Sequence, residues 1–364
     1  MLYTYFQPTM AASQNLQELE EARHQLDPYA RLPEEYTIEL RRHTLAQAVH
    51  YSTKIEGNTL TLEQVKSLLA GEKVGAPENQ IQEVRNYSEA LSYIQLFVQD
   101  RTGRVSEDTI RHLHFLITKS LRGAYAPGQY RTEQNYVVDT ASGRRVFLPP
   151  ASEDVPTLMQ EFVEWLNIPD QPSPVLKAAL AHLNLVAIHP LLDGNGRTAR
   201  ALESLLLYKQ GFRSQHFVSL EAYFGRDGQA YYRALSASLG PHYSPPKDVS
   251  PWLEYSLQAH IAEARAALQY QQEVAIEIDG LKEAFQSEGL SLTQMTMLLM
   301  ACRTGRVTNR EYRYTTGRSH QSAVSDFSRL IEKGLLVRSG KGRAAAYVPS
   351  KWTKEVFEGI PKPI

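Results

Sequence analysis

The chain has 364 residues, of which 42% are hydrophobic and 22% are charged, so it is long and apolar enough for two or three globular domains. Its formal charge of -1 at pH 7 excludes a general attraction of the whole molecule to nucleic acid or to an anionic membrane. A single cysteine, Cys302, excludes an internal disulfide framework and argues against a thiolate zinc site. We therefore expect a cytoplasmic protein with no membrane span.

The N-terminal region, residues 1–105, is predicted to be helical. Apolar residues recur at near-helical spacing over Thr37–Leu69, with an interruption at a Gly-Asn pair. After that interruption we expect a short helix at Leu62–Leu69. A longer helix, Ile81–Asp100, is expected after a loop that contains Gly and Pro.

Residues 106–250 are predicted to form a second helical region that contains one small β-hairpin. The hairpin joins two β-prone runs, Tyr136–Val138 and Val146–Leu148, through a Ser-Gly turn. The helices predicted around the hairpin are Glu107–Leu121, Val155–Leu166, Val175–Ile188 and Thr198–Gln210.

The C-terminal part of the chain changes character. A helical linker is expected over residues 251–287, and residues 351–364 are expected to be a tail. Between them, residues 288–350 contain three predicted helices followed by two β-prone runs, which is the order of elements in a winged helix-turn-helix domain. The three helices are Thr293–Ala301, Thr308–Tyr312 and Ser319–Lys333.

The predicted winged helix is locally basic. Between Cys302 and Arg343 there are ten Lys and Arg against three Asp and Glu, although the whole chain has almost no net charge. With Ser319–Lys333 as a recognition helix, and with Lys341 and Arg343 on phosphates, such a domain would bind duplex DNA. A protein-interaction or dimerisation domain of the same layout is equally consistent with the sequence.

The segment HPLLDGNGRTAR, residues 189–200, joins two predicted helices. Its DG and NG pairs are common turn signals, so an ordinary interhelical turn is the simplest interpretation. However, Gly194, Asn195 and Gly196 lie immediately before a predicted helix, where free N–H groups and the helix dipole bind anions. The segment therefore also predicts a phosphate site.

The charged side chains of this segment fit a polyphosphate. Arg197 and Arg200 are three residues apart on the following helix, so both can hydrogen-bond to one anion. Asp193 supplies a hard oxygen ligand, the kind that Mg²⁺ takes beside phosphate oxygens. His189, whose ordinary pKa is about 6.5, could accept a proton from an attacking hydroxyl. Together they predict a general base, a metal ligand and a phosphate clamp.

HPLLDGNGRTAR resembles the H-x-F-x-D/E-G-N-G-R-x-x-R signature of the Fic (Fic/Doc) family, whose members transfer the AMP part of ATP to protein hydroxyls. The segment departs from the signature where Leu191 replaces Phe as an apolar anchor. The resemblance implies that His189 is the base and that Asp193 binds Mg²⁺ or Mn²⁺. It also implies that the phosphates of ATP are held by Gly194, Asn195, Gly196, Arg197 and Arg200.

A second motif, YSTKIEGN at residues 51–58, precedes the first. Alone it indicates a helix end with Gly57 as the stop signal, but beside a Fic core it resembles the family's inhibitory motif, S/T-x-x-x-E-G/N, at Ser52, Glu56 and Gly57. The resemblance implies an N-terminal inhibitory helix in which Glu56 pairs with Arg200 and prevents correct binding of ATP. The same glutamate could instead act as a base that removes AMP from a modified protein.

Two further features are interpreted by resemblance. The hairpin Tyr136–Leu148 is similar to the family's flap, which pairs with an extended segment of the target protein, although an ordinary surface hairpin would look the same. Tyr231 and Tyr232 resemble an aromatic pair that lines the adenine pocket of related transferases, although tyrosines at such spacing are often core residues. His182 is expected to be a structural histidine with satisfied hydrogen bonds.

The resemblance implies a mainly α fold, with a helical Fic core over residues 106–250, a small β-hairpin flap, an N-terminal inhibitory helix and a C-terminal winged helix-turn-helix domain. Two functions stay open. One is a protein adenylyltransferase that is inhibited by Glu56, modifies a target protein or itself, and could also work in the de-AMPylating direction. The other is a DNA-binding transcription regulator with a nucleotide-sensing Fic core. The complete catalytic set, including His189, favours the enzyme, and a homodimer that adjusts Glu56 is a further hypothesis.

Overall fold

A computed structural model describes residues 1–7, 9–30, 34–98, 103–123, 126–139, 143–169, 172–210, 212, 218–316, 318–340 and 345–361. These residues are mainly helical and contain two small antiparallel sheets, which confirms the predicted fold class. The chain divides into two compact units. The first contains residues 1–23, 45–69 and 74–264, and the second contains residues 24–44, 70–73 and 265–364.

Helices build almost all of the first unit. In chain order, helices α1–α11 occupy Met10–Ala30, Glu34–Ile55, Leu62–Leu69, Glu78–Phe97, Glu107–Thr118, Val155–Leu166, Pro174–Ile188, Asn195–Lys209, Leu220–Arg226, Gly228–Leu239 and Ser250–Ala284. Helices α1, α2 and α11 contain residues of both units, which the predicted region boundaries did not anticipate. Most of the helices that apolar periodicity predicted here are present within a few residues of their expected ends.

Helices α1, α9 and α10 lie in regions that were predicted to be helical, but their bounds were not predicted. The last two are short and are separated by Asp227, whose Oδ1 accepts the backbone N–H of Ala230 and so caps α10. Such short helices give too few turns for a periodic pattern to stand out. Helix α1 is longer, but it contains Pro28, a residue that ordinarily ends or kinks a helix.

Helices α7 and α8 form the centre of the first unit. The hydroxyl of Ser173 accepts the backbone N–H of Leu176, and Pro174 occupies the first turn of α7, where it removes no hydrogen bond. The side chains of α7 are buried on almost all of its faces. Burial of one large aliphatic side chain stabilises the fold by about 1.5–3 kcal/mol, so the segment between α7 and α8 has a rigid base.

The predicted hairpin is present as strands β1 (Val137–Val138) and β2 (Arg145–Phe147). The strands pair in antiparallel register, with Val137 opposite Phe147 and Val138 opposite Arg145, and an irregularity lies between the two pairs. Its exposed apolar side chains are Tyr136, Val138, Val146 and Leu148. Residues 140–142 of the hairpin lie outside the described residues.

The second unit has the element order of a winged helix, as predicted. Helices α12–α15 occupy Leu292–Thr304, Asn309–Thr316, His320–Glu332 and Lys351–Glu358, and strands β3–β5 occupy Val307–Thr308, Leu336–Ser339 and Ala346–Pro349. The antiparallel sheet has the order β3-β5-β4 and packs on a core that includes Leu298, Phe327 and Leu330. The prediction of a tail after residue 350 was wrong, because Ser350 caps α15 through the backbone N–H of Thr353.

Four basic side chains of the predicted winged helix form ion pairs. Pairs of 2.5–3.5 Å join Arg303 to Glu277, Arg306 to Glu72, Arg318 to Asp326 and Lys333 to Glu288. These pairs reduce the positive charge that is available to a nucleic acid. The two residues predicted to contact phosphates, Lys341 and Arg343, lie outside the described residues.

Candidate active site

The segment between α7 and α8 is a tight turn that contains two residues in left-handed backbone conformations. His189 caps α7 at φ +49°, which is costly for a residue with a Cβ. Gly194 precedes α8 at φ +75°, and a Cβ there would lie 2.9 Å from Cγ2 of Thr118. Helix α8 begins at Asn195, so the prediction of a start at Thr198 was wrong, because the turn glycine leads directly into the helix.

His189 presents one ring nitrogen as a proton acceptor. Its Nδ1 lies 3.2 Å from the carbonyl oxygen of Val186. Because a carbonyl only accepts, Nδ1 carries the proton and Nε2 keeps its lone pair. Burial, and to a smaller extent the charge of Arg131, lowers the pKa of His189 to about 4, so the imidazole is neutral at pH 7.

Asn195 and Leu191 fix the shape of the turn. Oδ1 of Asn195 accepts the backbone N–H of Leu191 at 3.0 Å, and Nδ2 donates to the carbonyl of the same residue at 2.8 Å. The Leu191 side chain is fully buried, so a leucine serves as the apolar anchor of the turn. The amide of Asn195 is therefore engaged within the turn, and Asn195 would contact a phosphate through its backbone N–H.

The phosphate site that the sequence predicts would lie at the first turn of α8. Backbone N–H groups in the first turn of a helix have no intrahelical partner, and the helix dipole adds positive potential there. Gly196 lies in this turn, where a Cβ would come within 2.6 Å of Oε1 of Glu56 and 3.2 Å of Nη1 of Arg200. A Cβ at this position would therefore require the Glu56 side chain to shift.

Arg197 is buried, and its guanidinium is only partly paired. Nη2 donates to Oδ2 of Asp193 at 3.2 Å, and Nη1 lies 4.0 Å from Oε1 of Glu83. Nε and Nη1 of Arg197 have no hydrogen-bond partner among the described residues. Two buried donors on one planar group suit a phosphate, because leaving them without an acceptor is costly.

Asp193 has the chemistry and the exposure of a ligand for Mg²⁺. The side chain is 55% exposed, and its Oδ1 accepts the backbone N–H of Gly194 at 2.6 Å. The described part of the chain contains no group of three or more His, Cys, Asp or Glu side chains that could hold a metal ion. A Mg²⁺ ion that takes one carboxylate together with phosphate oxygens needs no such group, so the donor set fits.

Arg200 contacts the second sequence motif, as predicted. Its Nε donates to the Ser52 hydroxyl at 2.9 Å, and its Nη2 donates to the Ser52 carbonyl at 3.0 Å and to Oε1 of Glu56 at 2.8 Å. Burial by itself would lower the pKa of Arg200, but the Glu56 carboxylate raises it above its ordinary value, so the guanidinium stays charged. Gly57 follows at φ +97° in the turn that ends α2.

The turn after Glu56 is anchored to α4. Nδ2 of Asn58 donates to the carbonyl of Gln80 at 3.0 Å and to Oε2 of Glu83 at 2.8 Å, while its Oδ1 accepts the backbone N–H of Leu60 at 3.1 Å. Asn58 is almost fully buried. The position of Glu56 against Arg200 therefore depends on contacts outside the motif itself.

Three residues that sequence reasoning missed hold the carbonyls of the turn. Nε of Arg131 donates to the carbonyl of His189 at 2.9 Å. Nδ2 of Asn135 donates to the carbonyl of Leu191 at 3.1 Å. Nε2 of His114 donates to the carbonyl of Asp193 at 3.0 Å, because its Nδ1 accepts the backbone N–H of Gly128, and burial lowers the pKa of His114 to about 4. No signal in the sequence around them indicates these long-range contacts.

The structure separates the two tyrosines of the predicted adenine pocket. Tyr231 is fully buried, and its hydroxyl lies 2.9 Å from Nε2 of His182, so its ring belongs to the core. Tyr232 is 48% exposed, and its ring centroid lies 5.2 Å from that of Tyr231. His182 also lies 2.7 Å from Oε2 of Glu203, which agrees with the prediction of a satisfied structural histidine.

Comparison with known proteins identifies the region that contains this site. The Fic/DOC family model matches residues 104–207, which span α5, the hairpin, α6, α7 and most of α8. Over these residues, the chain matches the Fic/DOC family. The resemblance inferred from HPLLDGNGRTAR is therefore confirmed.

Two relatives named protein adenylyltransferase Fic share this Fic region. The protein from Nematostella vectensis is 35% identical over 171 residues, which cover 46% of this chain and 38% of that protein. The protein from Drosophila willistoni is 37% identical over 173 residues, which cover 46% of this chain and 32% of that protein. The chain thus matches about a third of the length of these relatives.

Solved structures show the same fold over longer stretches. A Fic family protein from Desulfovibrio desulfuricans G20 has a TM-score of 0.63 at 22% identity and covers 96% of this chain and 99% of its own. Fic-1 from C. elegans has a TM-score of 0.58 at 26% identity and covers 71% of this chain and 73% of its own. No helix in the described part of this chain combines the length and the apolar character needed to cross a lipid bilayer.

Proposed function

We propose that this chain transfers the AMP part of ATP to a hydroxyl of a protein and that Glu56 inhibits the transfer. One observation carries the proposal: a single turn joins a histidine with an accepting Nε2 to the start of a helix. There, two buried donors of Arg197 have no hydrogen-bond partner among the described residues. A base and a polyphosphate clamp at this spacing fit an attack on a phosphate of a nucleotide. The name of the relatives, protein adenylyltransferase Fic, supports the same activity.

In the proposed reaction His189 acts as the base. Nε2 of His189 takes the proton of the target hydroxyl while the hydroxyl oxygen forms a bond to the α-phosphorus of ATP. The bond between the α-phosphorus and the bridging oxygen breaks, and diphosphate leaves with the bonding electron pair. Negative charge of the bound phosphates would raise the low pKa of His189 towards neutrality and make it a stronger base.

The helix start and two arginines hold the leaving group. Arg197 and Arg200, with the N–H groups of Gly194, Asn195 and Gly196, would donate to the β- and γ-phosphate oxygens. Asp193 would hold Mg²⁺ or Mn²⁺, which supplies positive charge to the phosphate oxygens when bound. Tyr232, rather than the buried Tyr231, is the tyrosine available to pack against adenine.

The proposed inhibition follows from the ion pair of Arg200. Glu56 occupies Nη2 of Arg200, and its Oε1 reaches the space above Gly196 that a phosphate would enter. Ser52 holds the other side of the guanidinium. A nucleotide therefore has to displace the Glu56 carboxylate before its terminal phosphate can bind Arg200 in a reactive geometry.

The exposed apolar side chains of the β-hairpin support the docking of a target protein. An extended target segment added to β1 or β2 would place its hydroxyl before His189. The engaged arginines of the winged helix favour a protein partner over duplex DNA for that domain. The single cysteine favours a reducing compartment, and we assign the activity to the cytoplasm.

Intact-protein mass spectrometry after incubation with Mg²⁺ and ATP tests the proposal. We expect Glu56→Gly to gain adenylyl groups and Glu56→Gly/His189→Ala to gain none. If neither gains them although both bind ATP, and peptides from a proteolysed lysate are also unmodified, the transferase proposal is wrong. Loss of AMP from a pre-modified sample with wild-type protein, but not with Glu56→Gly, would favour the de-AMPylating direction.

A further inference from the structure

Arg131 makes an unusual set of contacts next to the catalytic turn. It is 2% exposed, although no carboxylate pairs closely with it among the described residues. Its guanidinium instead donates to three carbonyl oxygens: Nε to His189 at 2.9 Å, Nη1 to Glu133 at 3.1 Å and Nη2 to Pro150 at 2.5 Å. Its backbone N–H donates to the carbonyl of Pro190 at 2.9 Å. One residue thus satisfies four carbonyls.

These carbonyls belong to two different parts of the Fic domain. His189 and Pro190 begin the catalytic turn. Glu133 precedes β1, and Pro150 follows β2, so the other two contacts hold both ends of the β-hairpin. The Arg131 side chain therefore connects the two ends of the hairpin directly to His189, whose imidazole is the proposed proton acceptor.

The contact to His189 acts on a residue under backbone strain. His189 adopts φ +49°, a conformation that a non-glycine residue keeps only when its surroundings impose it. The carbonyl of His189 accepts from Arg131, while the ring of His189 is oriented by its bond to Val186. Removal of the Arg131 guanidinium would free this carbonyl and let the backbone relax, which would turn the imidazole away from its present direction.

Only arginine can make all three side-chain contacts. A planar guanidinium carries five donors in a fixed fork, so it can serve three carbonyls in different directions, whereas a lysine ammonium on a flexible stem is a single point. Lysine would keep the positive charge and reach one of the carbonyls. The geometry thus offers a graded pair of substitutions, Arg131→Lys and Arg131→Gln.

We propose that Arg131 is a positioning residue that couples the β-hairpin to His189, so that docking of a target strand on the hairpin fixes the direction of the catalytic imidazole. The inference rests on the proposed adenylyl transfer. It assigns Arg131 no contact with ATP, because the nucleotide clamp is built from α8. Loss of the coupling therefore lowers the rate of transfer and leaves nucleotide affinity unchanged.

The kinetic test uses self-adenylylation in the Glu56→Gly background, with the initial rate measured at a series of ATP concentrations. We expect Arg131→Gln to lower kcat by about 100-fold and Arg131→Lys by about tenfold, since a misplacement on the order of 1 Å has effects of this size. KM for ATP should stay within about twofold. Equal kcat in all three proteins, or a KM that rises in parallel with the loss of kcat, would overturn the proposal.

Arg111→Gln is the matched control. Nε of Arg111 also donates to a backbone carbonyl, that of Gly128 at 2.7 Å, but the guanidinium does not contact the catalytic turn among the described residues. We expect this variant to transfer AMP at the rate of its Glu56→Gly parent. If kcat falls as much as in Arg131→Gln, any weakening of this segment is enough to slow the transfer. That result would refute a specific role for Arg131.

Hydrogen exchange gives a readout that does not depend on transfer. In Arg131→Gln, peptides that cover the hairpin and peptides that cover residues 186–195 should lose protection together, and in Arg111→Gln neither should. Loss of protection in only one of the two regions would refute the coupling, even if kcat falls. If Glu56→Gly transfers no AMP at all, the proposed function fails, and the exchange data still decide whether Arg131 links the hairpin to the turn.

Discussion

Removal of the Glu56 carboxylate should destabilise the protein without nucleotide and strengthen its binding of ATP by the same free energy. Glu56 supplies one of three hydrogen bonds to the almost fully buried guanidinium of Arg200, and Ser52 supplies the other two. A hydrogen bond to a charged group contributes about 1.5–3 kcal/mol. The Glu56 side chain is 25% exposed, so water replaces part of the interaction, and we expect a loss of about 1–2 kcal/mol for Glu56→Ala.

The thermal denaturation temperature converts this loss into a measurable shift. For domains of this size, about 1 kcal/mol lowers Tm by roughly 2–4 °C, so Glu56→Ala should unfold about 2–8 °C below wild type. If ATP has to displace the carboxylate as proposed, its Kd should fall about tenfold for each 1.4 kcal/mol released. Saturating ATP with Mg²⁺ should therefore raise the Tm of Glu56→Ala more than that of wild type.

Glu63→Ala is the control for this experiment, because Glu63 also pairs with a basic residue, Lys66 at 2.8 Å, but is 79% exposed. Its Tm and its affinity for ATP should match wild type. The reasoning is refuted if Glu56→Ala is as stable as wild type and binds ATP equally well. A fall in Tm with no gain in affinity would mean that the ion pair stabilises the fold but does not compete with the nucleotide.

Three further predictions concern groups around the clamp. Asn58→Ala should loosen the inhibitory turn and raise the affinity for ATP, measured by calorimetry, but it should have no effect once Glu56 is removed. Burial raises the pKa of Glu203 to about 8. Because the folded-state pKa is raised, the stabilising contribution of Glu203 is complete below about pH 4.5 and is lost as the pH rises through about 8. Urea denaturation should therefore show that wild type loses stability over this pH range, whereas Glu203→Gln does not. Tyr232→Ala should weaken ATP binding, whereas Tyr231→Phe should lower stability by about 1–3 kcal/mol and leave binding unchanged. The opposite pattern would assign the adenine contact to Tyr231.

The turn at residues 189–194 could be singled out from the sequence because its proposed chemistry is contiguous in the chain. His189, Asp193, Arg197 and Arg200 lie within twelve residues, and helical spacing alone places both arginines on one side of α8. The pairing of Glu56 with Arg200 was also predicted, and the two side chains meet at 2.8 Å although they are 144 residues apart. That prediction depended on the family resemblance, since no local pattern specifies such a distant partner.

The support of the turn could not be predicted, because it depends on packing between distant segments. His114 contacts Asp193 across 79 residues, and Arg131 contacts His189 across 58. Each of these side chains binds a backbone carbonyl, and a carbonyl is present at every residue, so the sequence contains no complementary signal. For the same reason, the sequence does not separate Tyr231 from Tyr232. The place of Tyr231 in the core follows from its distant partner His182 and not from its neighbour Tyr232.

The balance of charge around the proposed phosphate site favours the proposed inhibited resting state. Two buried arginines, Arg197 and Arg200, face three carboxylates, those of Glu56, Glu83 and Asp193, at distances of 2.8–4.0 Å. Without these carboxylates, two unpaired guanidinium groups would be buried side by side, which is far more costly than a paired arrangement. A nucleotide brings several negative charges to the same place, so it can bind well only if a carboxylate leaves or a cation enters. Asp193 is half exposed, so a divalent cation could replace Arg197 as its partner, whereas Glu56 would have to leave Arg200. The arginines that would stabilise the leaving group thus need a carboxylate partner when no nucleotide is bound. The carboxylate of Glu56, which would inhibit the reaction, is such a partner.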